Sequence, residues 1–174
     1  MIPLESAQER IDQDIRRLPP ELVPLAEASD LVVAENIRSA IQIPPFTSVA
    51  MDGFAIVASD TNGAGPDKAR RLDVVETVPA GRVAQLPVRS GTAIRIMTGA
   101  PLPEGADAVV MVEKTTVAEP LEGQREQVSV LTDVPAGNHL RRTGSAVALG
   151  DTVVTAGTVL GSSHVGLLAS VGVD

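Results

Sequence analysis

From residue 44 onward, short apolar runs alternate with glycine, proline and aspartate, and this spacing restricts the chain to a β-rich fold. Each run has the length and the valine- and isoleucine-rich composition of a strand. The glycines and prolines between the runs fix backbone angles that interrupt a strand ladder. The sequence therefore predicts strands at 53–58, 73–78, 92–97, 108–113, 127–131 and 151–154, with a loop at 119–123.

Helical patterns flank this β-rich stretch. Residues 5–18 place apolar side chains on one stripe, and we expect one amphipathic helix that stops at Pro19 and Pro20, with Arg16 and Arg17 matching the dipole at its end. Residues 162–172 predict a second helix that opens on a Ser162 cap and ends at a glycine. We therefore predict a β-dominated α+β fold, with an elongated dimerisation domain built from residues 1–44 and 141–174 and an inserted β-rich domain at 45–140.

Composition excludes several classes of function. The chain has a formal net charge of -8, no Lys/Arg block, two Phe, no Trp, no Tyr and no Cys. Stacking on nucleobases, polyanion binding and thiolate chemistry are therefore not expected, and neither is a cysteine-based metal site. No uncharged apolar run approaches the roughly 20 residues of a membrane span. We expect a cytoplasmic protein with no nucleic-acid or membrane partner.

The segment 43–55 carries the first candidate site. Prolines precede two hydroxyl residues, and the Asp52-Gly53 pair predicts a sharp turn that leaves the Asp52 carboxylate at a loop tip, where it could bind a metal ion. The alternative is that Asp52-Gly53 is simply the turn of a β-hairpin.

A second candidate site lies where the run 92–97 drops into a loop at Thr98 and Gly99. Glycine lets a ligand approach the backbone, and the threonine hydroxyl can donate to an oxyanion or coordinate a hard cation. The alternative is an ordinary proline-rich loop. Glu113 is either a second hard oxygen ligand or a solvated charge at a strand end.

The segment 137–144 brings Arg141 and Arg142 near a glycine. A guanidinium presents a fork of donors suited to phosphate or another oxyanion, although paired arginines are also common as surface charge. His139 and His164 are isolated in sequence and are predicted to be structural. This donor inventory suits Mg²⁺ and oxyanions rather than zinc or copper.

At these segments the chain resembles the molybdopterin molybdotransferase family, of the MoeA and gephyrin E-domain type. Residues 44–55 match the family pattern P-P-F-x-x-S-x-M-D-G-[YF]-A except at its serine, where this chain has Val49 directly after Ser48, and residues 95–110 follow R-I-M-T-G-A-P-L-P-x-G-A-D-A-V-V. The likeness extends to Ala80-Gly81, to the Gly137-Asn-x-x-Arg-Arg stretch and to the ending at 167–172, so it covers essentially the whole chain.

The resemblance implies an enzyme that inserts molybdate into adenylylated molybdopterin with the help of Mg²⁺. It implies that Asp52 and Thr98 are catalytic and that Ser48, Gly53 and Gly99, which lie in the same motifs, are cofactor-binding positions. From the residues themselves, Arg141 is a further cofactor-binding candidate because of its guanidinium donors, and Asp52 and Glu113 are the candidate metal ligands because of their hard oxygens. The resemblance also implies a homodimer and molybdopterin adenylyltransferase as a functional partner.

Two departures from the family pattern qualify these implications. Gly144 is followed by Ser145 and Ala146 where the family commonly has Glu-Asp, so one expected carboxylate is absent. The family also continues into a pterin-binding domain and a small β-barrel, and we expect residues 1–174 alone to be inactive for that reason. The alternatives are a gephyrin-like scaffold with relaxed catalysis and a plain binding module for an oxyanion or nucleotide.

Overall fold

The computed structural model describes residues 2–16, 18–118 and 125–174, so Arg17 and the predicted loop 119–123 lie outside the described residues. Two compact units are present: Met1–Arg38 together with Thr152–Asp174, and Ser39–Asp151. The helices and strands follow in chain order: α1 (Leu4–Asp14), β1 (Ile37–Arg38), β2 (Ser48–Val49), β3 (Gly53–Ile56), β4 (Arg70–Val78), β5 (Thr92–Ile96), β6 (Ala108–Met111), β7 (Thr115–Ala118), β8 (Gln127–Val130), β9 (Leu140–Arg141), β10 (Thr152–Val154) and α2 (Ser162–Ser170).

The first unit contains α1, the β1–β10 pair and α2. Strands β1 and β10 pair antiparallel, and α2 packs beside them. Its small core is aliphatic and consists of Ala28, Val33, Val154, Leu160 and Leu168.

Both helices differ from the prediction at one end. Helix α1 ends at Asp14 rather than at residue 18, and its last turn carries no basic residue, so the predicted dipole match with Arg16 is wrong. No residue of α1 is buried, and without packing a short helix gains little from further turns. The N-cap of α2 is Gly161 rather than Ser162, and the Gly161 N–H donates to His164 Nδ1 at 3.1 Å. His164 thus has the structural role that we predicted.

The second unit contains one six-stranded sheet in the order β6-β3-β5-β4-β8-β7. Only β4 and β5 run parallel, while the other four pairs are antiparallel. The two edge strands β6 and β7 are joined by the single 3₁₀ turn Val112–Lys114. Such a link reaches at most about 14 Å, whereas the edges of a flat six-stranded sheet lie about 24 Å apart, so the sheet must curl.

The curled sheet is covered on both faces. Side chains alternate along β3 and β5, so Phe54 and Ala93 belong to one apolar cluster while Ala55, Ile94 and Ile96 belong to the other. We call these the Phe54 face and the Ile94 face. Burial on both faces explains why these runs are almost continuously apolar instead of alternating with polar residues.

The prediction of a β-dominated α+β fold is confirmed, and each of the six predicted runs contains a strand. Two predicted runs end two residues early: 53–58 ends at Ile56 and is followed by a 3₁₀ turn at Ala58–Thr61, and 108–113 ends at Met111. The runs 92–97 and 127–131 each end one residue early. The strands that sequence patterns did not indicate are short ones, β2, β7 and β9. The run 31–37, which indicated a short strand or a strand with a turn of helix, overlaps β1 only at Ile37. Within the described residues, no helix is long and apolar enough to cross a membrane.

Candidate functional site

One end of the curled sheet gathers the candidate residues. Strand β3 begins at Gly53, which pairs with the last residue of β5, Ile96, and with the last residue of β6, Met111. Because β4 runs parallel to β5, its last residue, Val78, also pairs with Ile96. We call this edge the Asp52 end, since Asp52 immediately precedes β3.

The segment before Asp52 is held by hydrogen bonds on two sides. Strand β2 pairs with β9 on one side, where the Ala50 N–H also donates to the His139 carbonyl at 2.8 Å. On the other side, the Gly99 N–H donates to the Val49 carbonyl at 2.9 Å, and the Val49 N–H donates to the Ala100 carbonyl at 3.0 Å. Bonds on both sides bring the end of this segment to the turn that follows β5.

Thr98 binds the Asp52 carboxylate through two donors. Its backbone N–H and its hydroxyl both donate to Asp52 Oδ1, each at 2.7 Å. The geometry follows from a tight turn in which the Ala100 N–H donates to the Met97 carbonyl and Gly99 takes a φ of +86°, the conformation required at the third position of a type II turn. The loops of the two candidate sites, one ending at Asp52 and the other beginning at Thr98, therefore meet in the structure.

The second oxygen of Asp52, Oδ2, accepts no hydrogen bond from the described residues, and both Asp52 and Thr98 are exposed. The two Thr98 donors lower the pKa of Asp52, the backbone N–H contributing more than the hydroxyl, because both favour the charged form. Asp52 is therefore a carboxylate at neutral pH, with one oxygen fixed and the other open.

The hairpin interpretation of Asp52-Gly53 is wrong, because β2 pairs with β9 and β3 pairs with β5 and β6. Gly53 also has a different role from the predicted one. It is the buried first residue of β3, and a methyl group there would overlap the carbonyl oxygen of Val110 on the neighbouring strand. Glycine is needed for close strand packing rather than for a turn.

Glu113 lies in the 3₁₀ turn after β6, so the prediction that it closes the strand is wrong by two residues. The preceding residue, Val112, donates its N–H to the Asp52 carbonyl at 3.2 Å, which places the Glu113 backbone at the Asp52 end. Glu113 is exposed. Across residues 2–16, 18–118 and 125–174, no group of three or more Asp, Glu or His side chains is arranged to hold a metal ion.

Ser48 on β2 and Arg141 on β9 lie directly opposite each other. Ser48 precedes Asp52 by four residues, and Arg141 is distant from it along the chain. Ser48 is buried and Arg141 is exposed. Neither side chain has a hydrogen bond to Asp52 or Thr98 among those the described residues form. Gly99 has open space where a side chain would begin, so a ligand can approach its backbone.

Two further features lie near the Asp52 end: the turn that follows β4, which the parallel pairing of β4 with β5 places there, and an arginine of β5. Neither was singled out as a site in the sequence. The turn Pro79–Arg82 follows β4, and Arg95 lies on β5 between Ile94 and Ile96. The length of the connection 79–91 could have indicated that β4 and β5 are parallel, because it is long enough for the crossover that parallel strands need.

The family model that describes the MoeA N-terminal region (domain I and II) matches residues 2–172. The chain is 38% identical over 169 residues to molybdopterin molybdenumtransferase 2 of Mycobacterium tuberculosis, covering 97% of this chain and 40% of the relative. It is 33% identical over 171 residues to the molybdopterin molybdenumtransferase of Bacillus subtilis, covering 98% and 39%. Thus the chain spans about 40% of the length of these curated relatives.

Solved structures agree with the sequence relatives. The crystal structure of the molybdopterin biosynthesis moeA protein from Pyrococcus horikoshii OT3 superposes with a TM-score of 0.87 at 38% identity, over 99% of this chain and 44% of that one. The β-dominated α+β fold with its curled sheet is thus similar to that of a solved relative.

Proposed function

This chain belongs to the MoeA N-terminal region family (domain I and II), and from that membership we propose that it acts in molybdenum cofactor biosynthesis as part of a molybdopterin molybdenumtransferase. The reaction would insert molybdate into adenylylated molybdopterin. The observation that carries the proposal is the Asp52 carboxylate, held through one oxygen by Thr98 while the other oxygen is open.

The donors at the Asp52 end fit Mg²⁺. Asp52 Oδ2 and the Glu113 carboxylate are hard oxygens, and Mg²⁺ commonly binds one or two carboxylates while keeping waters and substrate phosphates as its other ligands. Asp52 and Glu113 would hold the ion, which would supply neutralisation of phosphate charge. Thr98 would fix the orientation of Asp52, so that no reorganisation is needed when the ligand arrives.

The rest of the site would come from the part of the relatives that lies outside the matched 40% of their length. The 174-residue chain, assayed on its own, would therefore insert no molybdate. Molybdopterin adenylyltransferase, which supplies the adenylylated substrate, would be its functional partner.

A homodimer is also part of this proposal. The apolar side chains of α1 support it, because Leu4 and Ile11 are 69% and 58% exposed and no residue of the helix is buried within the chain. An apolar helix stripe left in water favours association. We assign dimerisation to the unit that joins the two chain ends, and we treat the unit Ser39–Asp151 as the inserted domain.

The experiment is a chimera in which this chain replaces the matched region of the Bacillus subtilis relative. We expect molybdenum cofactor synthesis with the unchanged chain and a loss of about 100-fold with Asp52→Asn, the order of effect seen when a metal site loses an orienting or ligating group. Asp60→Asn is the matched control, because Asp60 lies at the opposite end of the sheet, and it should keep near-normal synthesis.

An inactive chimera that folds and dimerises would contradict the proposal and would favour a scaffold with relaxed catalysis, consistent with Ser145 and Ala146 in place of acidic residues. Equal synthesis with Asp52→Asn would also contradict it.

A further inference from the structure

Arg95 begins the R-I-M-T-G segment and has been given no role so far. It lies between Ile94 and Ile96, which both belong to the cluster on the Ile94 face, so its side chain extends from the Phe54 face. Its register partners are Phe54 on β3 and Thr77 on β4. Residues directly opposite on paired strands share a face, which agrees with this orientation.

Asp52 lies near Arg95 along the paired strands β3 and β5. It immediately precedes β3, and Phe54, the register partner of Arg95, follows two residues later. An arginine side chain is long enough to cover Phe54 with its methylenes while its guanidinium reaches the Asp52 end.

The guanidinium of Arg95 has no hydrogen bond or ion pair with any residue that the structure describes. Arg70, on β4 near the opposite end, instead donates from Nε and Nη2 to the Asn62 carbonyl at 3.2 and 2.7 Å. Asp52 does not pair with Arg95: its Oδ1 accepts from Thr98, and its Oδ2 accepts no hydrogen bond from the described residues. The positive and negative charges at this end are therefore both left for a ligand.

A site with a carboxylate and a guanidinium that do not neutralise each other suits a ligand that carries both signs of charge. A divalent cation bound to a phosphate or another tetrahedral oxyanion is such a ligand, because the carboxylate takes the cation and the guanidinium takes the oxyanion. An anion that binds here needs a positively charged side chain close to it, because the chain carries a formal net charge of -8 that repels anions at longer range.

We propose that Arg95 is an oxyanion-binding residue of the Asp52 end, where it holds a phosphate or molybdate oxygen while Asp52 holds the accompanying cation. This inference rests on the proposed function and adds to it the group that recognises the anion.

The test is a titration of the 174-residue chain, followed by the NMR signals of the Arg95 Nε–Hε group and the Thr98 amide. One arm uses magnesium pyrophosphate and the other uses sodium molybdate, which distinguishes a phosphate subsite from a molybdate subsite. We expect both signals to move with one ligand or both, with an affinity that falls about tenfold in Arg95→Met, the loss expected for one charge-assisted hydrogen bond.

Arg95→Met keeps most of the aliphatic stem over Phe54, so the urea midpoint should not change, and Arg95→Lys should recover part of the affinity through its charge. Arg71→Met is the control, since it removes a strand arginine from the other end of β4. No shift of the Arg95 signal with either ligand would overturn the inference. Unchanged affinity in Arg95→Met, or an equal loss in Arg71→Met, would overturn it as well.

The inference and the proposed function fail in different ways. If Asp52→Asn abolishes synthesis in the chimera while Arg95→Met changes neither oxyanion affinity nor the KM of the chimera, Arg95 has no anion role and the proposed function stands. If Arg95→Met weakens oxyanion binding while Asp52→Asn leaves synthesis unchanged, the oxyanion subsite stands without the proposed function.

Discussion

Two aspartates bind the turns at the two ends of β5, and they use their oxygens differently. At the start of β5, Asp60 accepts the Ser90 hydroxyl on Oδ1 at 2.7 Å and the Gly91 N–H on Oδ2 at 2.8 Å. At the end of β5, Asp52 accepts both the hydroxyl and the N–H of Thr98 on the single oxygen Oδ1. The donors are of the same kind, but one carboxylate accepts hydrogen bonds on both oxygens and the other on one only.

This difference separates a structural contact from a candidate ligand. A carboxylate with a protein donor on each oxygen fastens a turn and has less capacity left for a metal ion. Asp52 is also held by two protein donors, but both act on Oδ1, and Oδ2 accepts no hydrogen bond from the described residues. Both residues are aspartates with one hydroxyl donor and one N–H donor, so neither feature distinguishes a metal ligand from a structural carboxylate. The distribution of the donors over the two oxygens does distinguish them.

The largest effect should come from backbone packing at the Asp52 end. Gly53→Ala places a methyl group on the Val110 carbonyl, and backbone cannot easily move away, so we expect unfolding to become easier by about 3 kcal/mol or more. Gly91→Ala at the other end meets no atom within 4 Å and strains only a φ of +80°, at a cost of about 1–2 kcal/mol. Urea unfolding followed by circular dichroism measures both, and equal losses would show that the packing of the Asp52 end is not special.

A smaller effect separates the two aspartates themselves. Asp60→Ala removes acceptors from the Ser90 hydroxyl and the Gly91 N–H, and we expect a loss of about 1–2 kcal/mol in the free energy of unfolding. Asp52→Ala should cost less than this, because Asp52 is exposed and only one of its oxygens is engaged. A larger loss in Asp52→Ala than in Asp60→Ala would make Asp52 a structural residue, contrary to our assignment.

Sequence patterns predicted every strand of the curled sheet except β7, because each of these apolar runs is short, continuous and bounded by glycine, proline or aspartate. They overextended α1: the apolar stripe continues to Leu18, but the helix ends at Asp14, and nothing in the part of the chain that the structure describes buries the stripe. Periodicity reports what a helix could bury, whereas the observed end depends on tertiary packing that the pattern does not contain.

The candidate site was predictable in its residues but not in its geometry. The motifs singled out Asp52, Thr98 and the two adjacent glycines. The single shared oxygen and the contact of Gly53 with Val110 depend on the register between strands that are distant in sequence. Arg95 was overlooked for the same reason, because its proximity to the Asp52 end follows from strand register on the Phe54 face.

Metal binding should distinguish the two aspartates more weakly. We expect Mn²⁺, used as a paramagnetic substitute for Mg²⁺, to broaden the NMR signals of residues 51–53 and Thr98 at low millimolar concentration, because one or two carboxylates hold such an ion only loosely. The amides of Ser90 and Gly91 should stay sharp, since Asp60 has a protein donor on each oxygen. Asp52→Asn should abolish the broadening, and broadening of equal strength at both ends would remove the distinction.

The smallest effect should appear in the titration of Asp52. Thr98→Val keeps the backbone N–H, which is the larger cause of the lowered pKa, and removes the hydroxyl, so the pKa of Asp52 should rise part of the way toward its ordinary value. A carboxyl with a lower pKa in the folded state than in the unfolded state stabilises the fold above the unfolded value of about 4, and this contribution is lost as the pH falls through the folded pKa. Thr98→Val should therefore make stability slightly less dependent on pH below about 4, while Thr98→Ser, which retains both donors, should behave like the unchanged chain. Side-chain carboxyl NMR measures the shift directly, and an unchanged Asp52 pKa in Thr98→Val would mean that the backbone N–H alone fixes the carboxylate.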